Sequence, residues 1–212
     1  MRLLLLSLGV SAIPAFLREA LGRADRIRVG YVPDAALAYD GAPFVDAERA
    51  ALTGLGYDVE TLRLSGTPLA EVEAALDRVD ALYVAGGNTF SLLYALRSAG
   101  ADRVIVRRVR AGLPYIGLSA GSVVAGPTIA PIAPMDDATE APGLTDLRGL
   151  GLVDVVVVPH ADGVSYPAAV IDRVVAEFGQ AHPLRLLVDD EALIVDDEGM
   201  RVVASPVSTR AD

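Results

Sequence analysis

The stretch "ALYVAGGNTFSLLYALRSAG", residues 81–100, decides how the chain is read. An apolar run, "ALYVAGG" (81–87), has no polar alternation and ends in two glycines, as a strand buried on both faces would. "TFSLLYALRSAG" (89–100) then shows helical spacing and closes on Gly100. Asn88 or Thr89 is placed to cap that helix. A buried strand followed directly by a helix is the repeating unit of a parallel sheet.

The same unit recurs outward in both directions. "LLLLSL" (3–8), "RIRVGYV" (26–32), "YDVETLRL" (57–64), "PYIGLS" (114–119) and "VDVVVVP" (153–159) read as strands. "IPAFLREALGR" (13–23), "DAERAALTGLG" (46–56), "LAEVEAALDR" (69–78), "DRVIVRRVRAG" (102–112), the segment opening with "AGSVVAG" and "PAAVIDRVVAEFG" (167–179) read as helices. The tail, 184–204, reads as three short strands joined by acidic turns. Right-handed crossovers turn this order into a three-layer, doubly wound α/β fold, a mostly parallel sheet with helices on both faces. Only 126–151 breaks the pattern: it is rich in proline, has little periodicity, and reads as a long functional loop. No linker divides the chain, so 1–212 is expected to form one domain.

Composition narrows the chemistry. All 18 basic residues are arginine, which removes a phosphate-loop lysine, a Schiff-base lysine and a lysine base for a serine. Cysteine is absent, which removes thiol catalysis, disulfides and cysteine-held metals. With only His160 and His182, a multi-histidine metal centre is not expected, and neither a metal nor a cofactor is predicted. A net charge of −10 disfavours nucleic acid. The amino-terminal apolar run is broken by Ser7, Gly9 and Ser11 and reads as a buried strand rather than a signal peptide. No stretch is long and apolar enough for a membrane helix.

Parallel α/β sheets bind ligands beyond the carboxyl ends of their strands. "AGGNTF", "GLSAGS" and "PHADG" all follow strands directly, so they are expected on one edge. In "YIGLSAGSVVAG" (115–126), Ser119 lies between Gly117 and Gly121 at a strand-to-helix turn. Such a turn exposes a hydroxyl and aims backbone N–H groups at a developing oxyanion. By itself the spacing favours a capping serine in a glycine turn over a nucleophile. His160, ending the strand "VVVVPH", supplies the base such a serine needs, whereas His182 falls at the opposite end. Gly86 and Gly87 add donors without side chains, and Ala120 follows the serine. Candidates to orient the histidine are Asp136, Asp137, Asp162 and Glu191. Ser122 reads as structural.

"AGGNTFSLL", "GLSAGS" followed by "GPTI", "VVPH" and the late "DDEALIV", in this order, resemble the peptidase E family of serine peptidases over most of the chain. "GYVPDAA" resembles a further family segment. The resemblance implies a class I glutamine amidotransferase-like fold, with Ser119 as nucleophile, His160 as base, and Gly87 and Ala120 as oxyanion donors. It puts the acid at Glu191, with Asp136 or Asp137 as the rival. It implies a cytoplasmic, metal-free enzyme, a monomer or homodimer, acting on dipeptides or short peptides, with amino-terminal aspartate as the family's preference. Gly86, Asn88 and Thr89 are the expected substrate contacts. Arg173, the first basic residue after His160, is the candidate cation for an aspartyl side chain. Two other readings are an α/β-hydrolase esterase, whose chain order would select an acid between 136 and 154, and a non-catalytic binding module on the same scaffold.

Overall fold

The computed structural model describes residues 1–39 and 41–207. Five parallel strands form most of the main sheet: β1 (Leu3–Leu6), β2 (Arg28–Val32), β3 (Asp58–Thr61), β4 (Ala81–Val84) and β5 (Tyr115–Leu118). A separate pair, β6 (Val156–Val158) and β7 (Leu184–Leu186), is also parallel. Two antiparallel strands, β8 (Glu191–Asp196) and β9 (Gly199–Ala204), complete the main sheet, whose order is β3-β2-β4-β5-β1-β8-β9.

Buried strands in a covered sheet send alternate residues to opposite faces. The run "LLLL" of β1 shows this: Leu3 and Leu5 join one core, Leu4 and Leu6 the other. The first core is covered by α3 (Leu69–Leu76), α4 (Thr89–Ser98), α5 (Ala101–Arg110) and α6 (Ala120–Val124). The second lies under α1 (Ile13–Leu21) and α2 (Pro43–Gly54), through residues such as Phe16, Leu17 and Leu52. The result is the three-layer α/β architecture expected from the sequence. The helix α7 (Ala168–Phe178) packs Ile171 and Val174 on the first core.

One expectation is corrected in detail. The strand that carries His160, β6, is not part of the main sheet; it pairs with β7 alone. His160 nevertheless reaches the sheet's edge, because its backbone N–H donates to Ser7 Oγ at 2.8 Å, just beyond β1. The next residue, Ala161, donates to the Leu187 carbonyl at 3.0 Å. The long segment 126–151 contains two short 3-10 turns, Ala130–Ile132 and Ala138–Glu140, and a bridge between Thr128 and Arg148.

Candidate active site

Ser119 follows β5 directly and precedes α6, at φ 46° and ψ −107°. This is a costly conformation for a residue with a side chain, and such strain persists only where the surroundings over-determine it. Here they do. The Ser119 N–H donates to the Leu6 carbonyl at 3.0 Å, and its own carbonyl accepts from Ser122 and Val123. The flanking glycines are required by close packing. A Cβ on Gly121 would lie 2.1 Å from the Val84 carbonyl oxygen, and one on Gly117 2.5 Å from Gly121. The motif is therefore a helix pressed against two strands, with a partly exposed serine at the corner. Ser122 is spent on structure: its hydroxyl lies 2.8 Å from both the Leu6 and Gly117 carbonyls.

Ser119 Oγ lies 3.0 Å from His160 Nε2, and His160 Nδ1 lies 2.5 Å from Asp189 Oδ1. The imidazole, like Ser119, rests on a positive-φ residue, φ 58°. Asp189 is buried, and its other partners are short hydroxyls, Ser7 at 3.4 Å and Ser165 at 3.3 Å. Its backbone N–H donates to Asp162 Oδ2 at 3.1 Å. The result is a serine–histidine–carboxylate line in which each group is held from behind.

The acid on the imidazole is Asp189, not the expected Glu191. Glu191 opens β8, and its carboxylate turns back to accept the Val188 N–H at 3.1 Å. The rivals also lie elsewhere. Asp136 accepts the Thr89 N–H at 2.8 Å and contacts the Tyr166 hydroxyl at 3.4 Å, and burial raises its carboxyl. Asp137 is exposed and caps the second 3-10 turn through Thr139. Asp162, beside the histidine in sequence, serves the Asp189 backbone. Since Asp189 follows His160 in the chain, the order is not the one an α/β-hydrolase would use.

Gly87 adopts φ 134°, and a Cβ there would meet the Ala35 carbonyl oxygen at 2.4 Å, so only glycine fits. Among the described residues, neither the Gly87 nor the Ala120 N–H has a hydrogen-bond partner. Asn88 and Thr89, expected to touch substrate, are buried. Asn88 caps α4 through the Ser91 N–H at 2.9 Å and ties it to the Asp137 carbonyl. Arg173 points away into an exposed pair with Glu177 at 2.7 Å. His182 lies before β7, at the end of the strand pair remote from His160.

The serine and imidazole open on a pocket of about 360 Å³ lined by Leu8, Phe44, Glu48, Gly86, Gly87 and Tyr166 among others. The size suits a small ligand. Glu48 went unnoticed in the sequence. Its helix carries exposed charges on either side, so nothing in "DAERAALTG" marks it. Among the described residues there is no cluster of potential metal ligands, and no helix is long and apolar enough to cross a membrane.

The chain has matches among known proteins. Residues 3–203 fit the family model for peptidase family S51. The chain belongs to peptidase family S51. Similar members include an uncharacterized peptidase of Listeria innocua, 35% identical over 80% of this chain and 81% of that one. Peptidase E of Streptomyces coelicolor is 36% identical over 76% of this chain and 64% of its own length. A crystal structure of a candidate peptidase E from Listeria monocytogenes superposes with a TM-score of 0.86 at 32% identity, covering 96% of this chain and 98% of that one. The family resemblance drawn from the glycine and histidine motifs thus holds, and membership makes this chain a serine-type peptidase.

Proposed function

We propose that this S51 peptidase cleaves dipeptides or short peptides with Ser119 as nucleophile, His160 as general base and acid, and Asp189 as the group that orients the imidazole. The observation that carries this is the continuous line from Ser119 Oγ through the ring to Asp189 Oδ1, at 3.0 and 2.5 Å. With Nδ1–H donated to Asp189, Nε2 is free to accept the serine proton as Oγ attacks the peptide carbonyl. The imidazolium then returns that proton to the departing amine, leaving an acyl-serine. Water, deprotonated by the same Nε2, releases the acid and restores the serine. The unpartnered N–H groups of Gly87 and Ala120 are our assignment for the oxyanion donors, worth about 10²–10³ in rate each by comparison with other hydrolases.

The mechanism needs no metal or cofactor. The family resemblance supports a cytoplasmic enzyme, a monomer or homodimer. We do not carry over aspartyl selectivity through Arg173, because that side chain is paired on an exposed helix face. Hydrolysis of a dipeptide and tripeptide panel tests the reading. Wild type should turn over at least one member, and Ser119→Ala should lose on the order of 10⁴-fold or more of that rate. Retained activity in Ser119→Ala would overturn it.

A further inference from the structure

The chemistry above uses one wall of the pocket. The same pocket is also lined by a second carboxylate, Glu48 of α2, which the reaction does not need. Glu48 Oε2 accepts a hydrogen bond from the Tyr31 hydroxyl at 3.2 Å, and that ring stacks on Tyr83 beneath it. The same carboxylate leans over Gly86. A Cβ built on Gly86 would lie 3.5 Å from Glu48 Oε1 and 3.5 Å from Ser119 Cβ. The carboxylate and the nucleophile thus flank the same small space beside Gly86, where a Cβ would touch both.

Charge gives this space a sign. Among the described residues, Glu48 forms no ion pair, and no arginine lines the pocket. Leu8, Phe44 and Leu118 surround it with apolar surface. A carboxylate there is poorly solvated and gains most from a cation brought in by a ligand. Burial already pushes its carboxyl up to about 8, against the hydrogen bonds that favour the charged form.

Resting on the peptidase reading, we propose that Glu48 anchors the free α-ammonium group of the substrate residue whose carbonyl Ser119 attacks. The bond count fits. An α-amino nitrogen is two bonds from the carbonyl carbon under attack, so it must lie within the small space shared by Glu48 and Ser119. A basic side chain begins farther out and would have to fold back. The assignment makes the protein an exopeptidase for unblocked amino termini. It also gives an acidic first side chain no favourable contact on this wall.

Matched chromogenic amides, alanyl-p-nitroanilide, acetyl-alanyl-p-nitroanilide and acetyl-lysyl-p-nitroanilide, test this with wild type and Glu48→Gln. Wild type should prefer the free amine by roughly 10- to 100-fold in kcat/KM. Glu48→Gln should erase that preference by slowing the free-amine substrate. Phosphonate labelling of Ser119, scored in the same samples, reports the nucleophile independently. No preference in wild type, or an equal fall for free and acetylated substrates, overturns the proposal while labelling leaves the peptidase reading intact. A Glu48-dependent preference for the acetyl-lysyl substrate overturns it in favour of a side-chain subsite. Absence of both turnover and labelling overturns the peptidase reading and this proposal with it.

Discussion

Two carboxylates serve this site and are treated oppositely: Glu48 lines the pocket, and Asp189 lies buried behind the imidazole. Asp189 is enclosed by donors: the imidazole at 2.5 Å, with the Ser7 and Ser165 hydroxyls behind. Glu48 accepts from the Tyr31 hydroxyl and the Gly86 backbone N–H and otherwise borders open space. The first arrangement fixes a neighbour's orientation, and the second leaves charge-stabilising capacity for whatever enters. Identical chemistry, a carboxyl group, is given two roles by what packs around it, as in other hydrolases whose paired acids diverge by environment.

The largest effect should fall on the enclosed carboxylate. Asp189→Asn is expected to lower kcat by on the order of 10³–10⁴, because the amide would favour the wrong imidazole tautomer. Glu191→Gln should stay within about threefold, since its carboxylate only accepts the Val188 N–H. Steady-state kinetics on both variants decides this, and equal losses would erase the distinction between Asp189 and Glu191.

A smaller effect should appear in stability at the open carboxylate. In the unfolded chain Glu48 titrates near its ordinary 4.5, and in the folded protein near 8. Between those values the folded state holds a proton that the unfolded chain has released. Glu48 therefore lowers stability progressively as pH rises through that window, and its cost is absent below it. The facing groups, Tyr31 and Tyr83, are raised above ten and stay protonated throughout. Asp136, also raised by burial, adds a slope of the same sign. Denaturant titrations at about pH 5 and about pH 8 should show wild type losing more stability on going up than Glu48→Gln does. Parallel behaviour would mean that Glu48 is not held protonated by its surroundings.

Much of this was legible in the chain. Unbroken apolar strands followed by helices gave the layers, and "GLSAGS" and "VVPH" marked a serine and a histidine that the fold brings to 3.0 Å. What resisted reading was register and long-range packing. Asp189 and Glu191 are two residues apart, and a turn at 189–190 lets one face the imidazole while the other folds back on the backbone. No local pattern tells which. His160's strand stands outside the main sheet, and it is long-range bonds, among them the latch from its N–H to Ser7 across 153 residues, that hold it at the serine. The capping role open to Asn88 in the sequence is the one its side chain takes at α4. Glu48 acquires meaning only from Tyr31 and Gly86, both far from it in sequence.

The claim on which both roles depend is that Ser119 is the reacting atom's owner. Incubation with a fluorophosphonate, digestion and mass mapping tests it most directly. The account predicts a single adduct on Ser119, formed at least tenfold more slowly in His160→Ala, with Ser122 and Ser165 unmodified. An adduct on another serine, or none on Ser119 in folded wild-type protein, would contradict it.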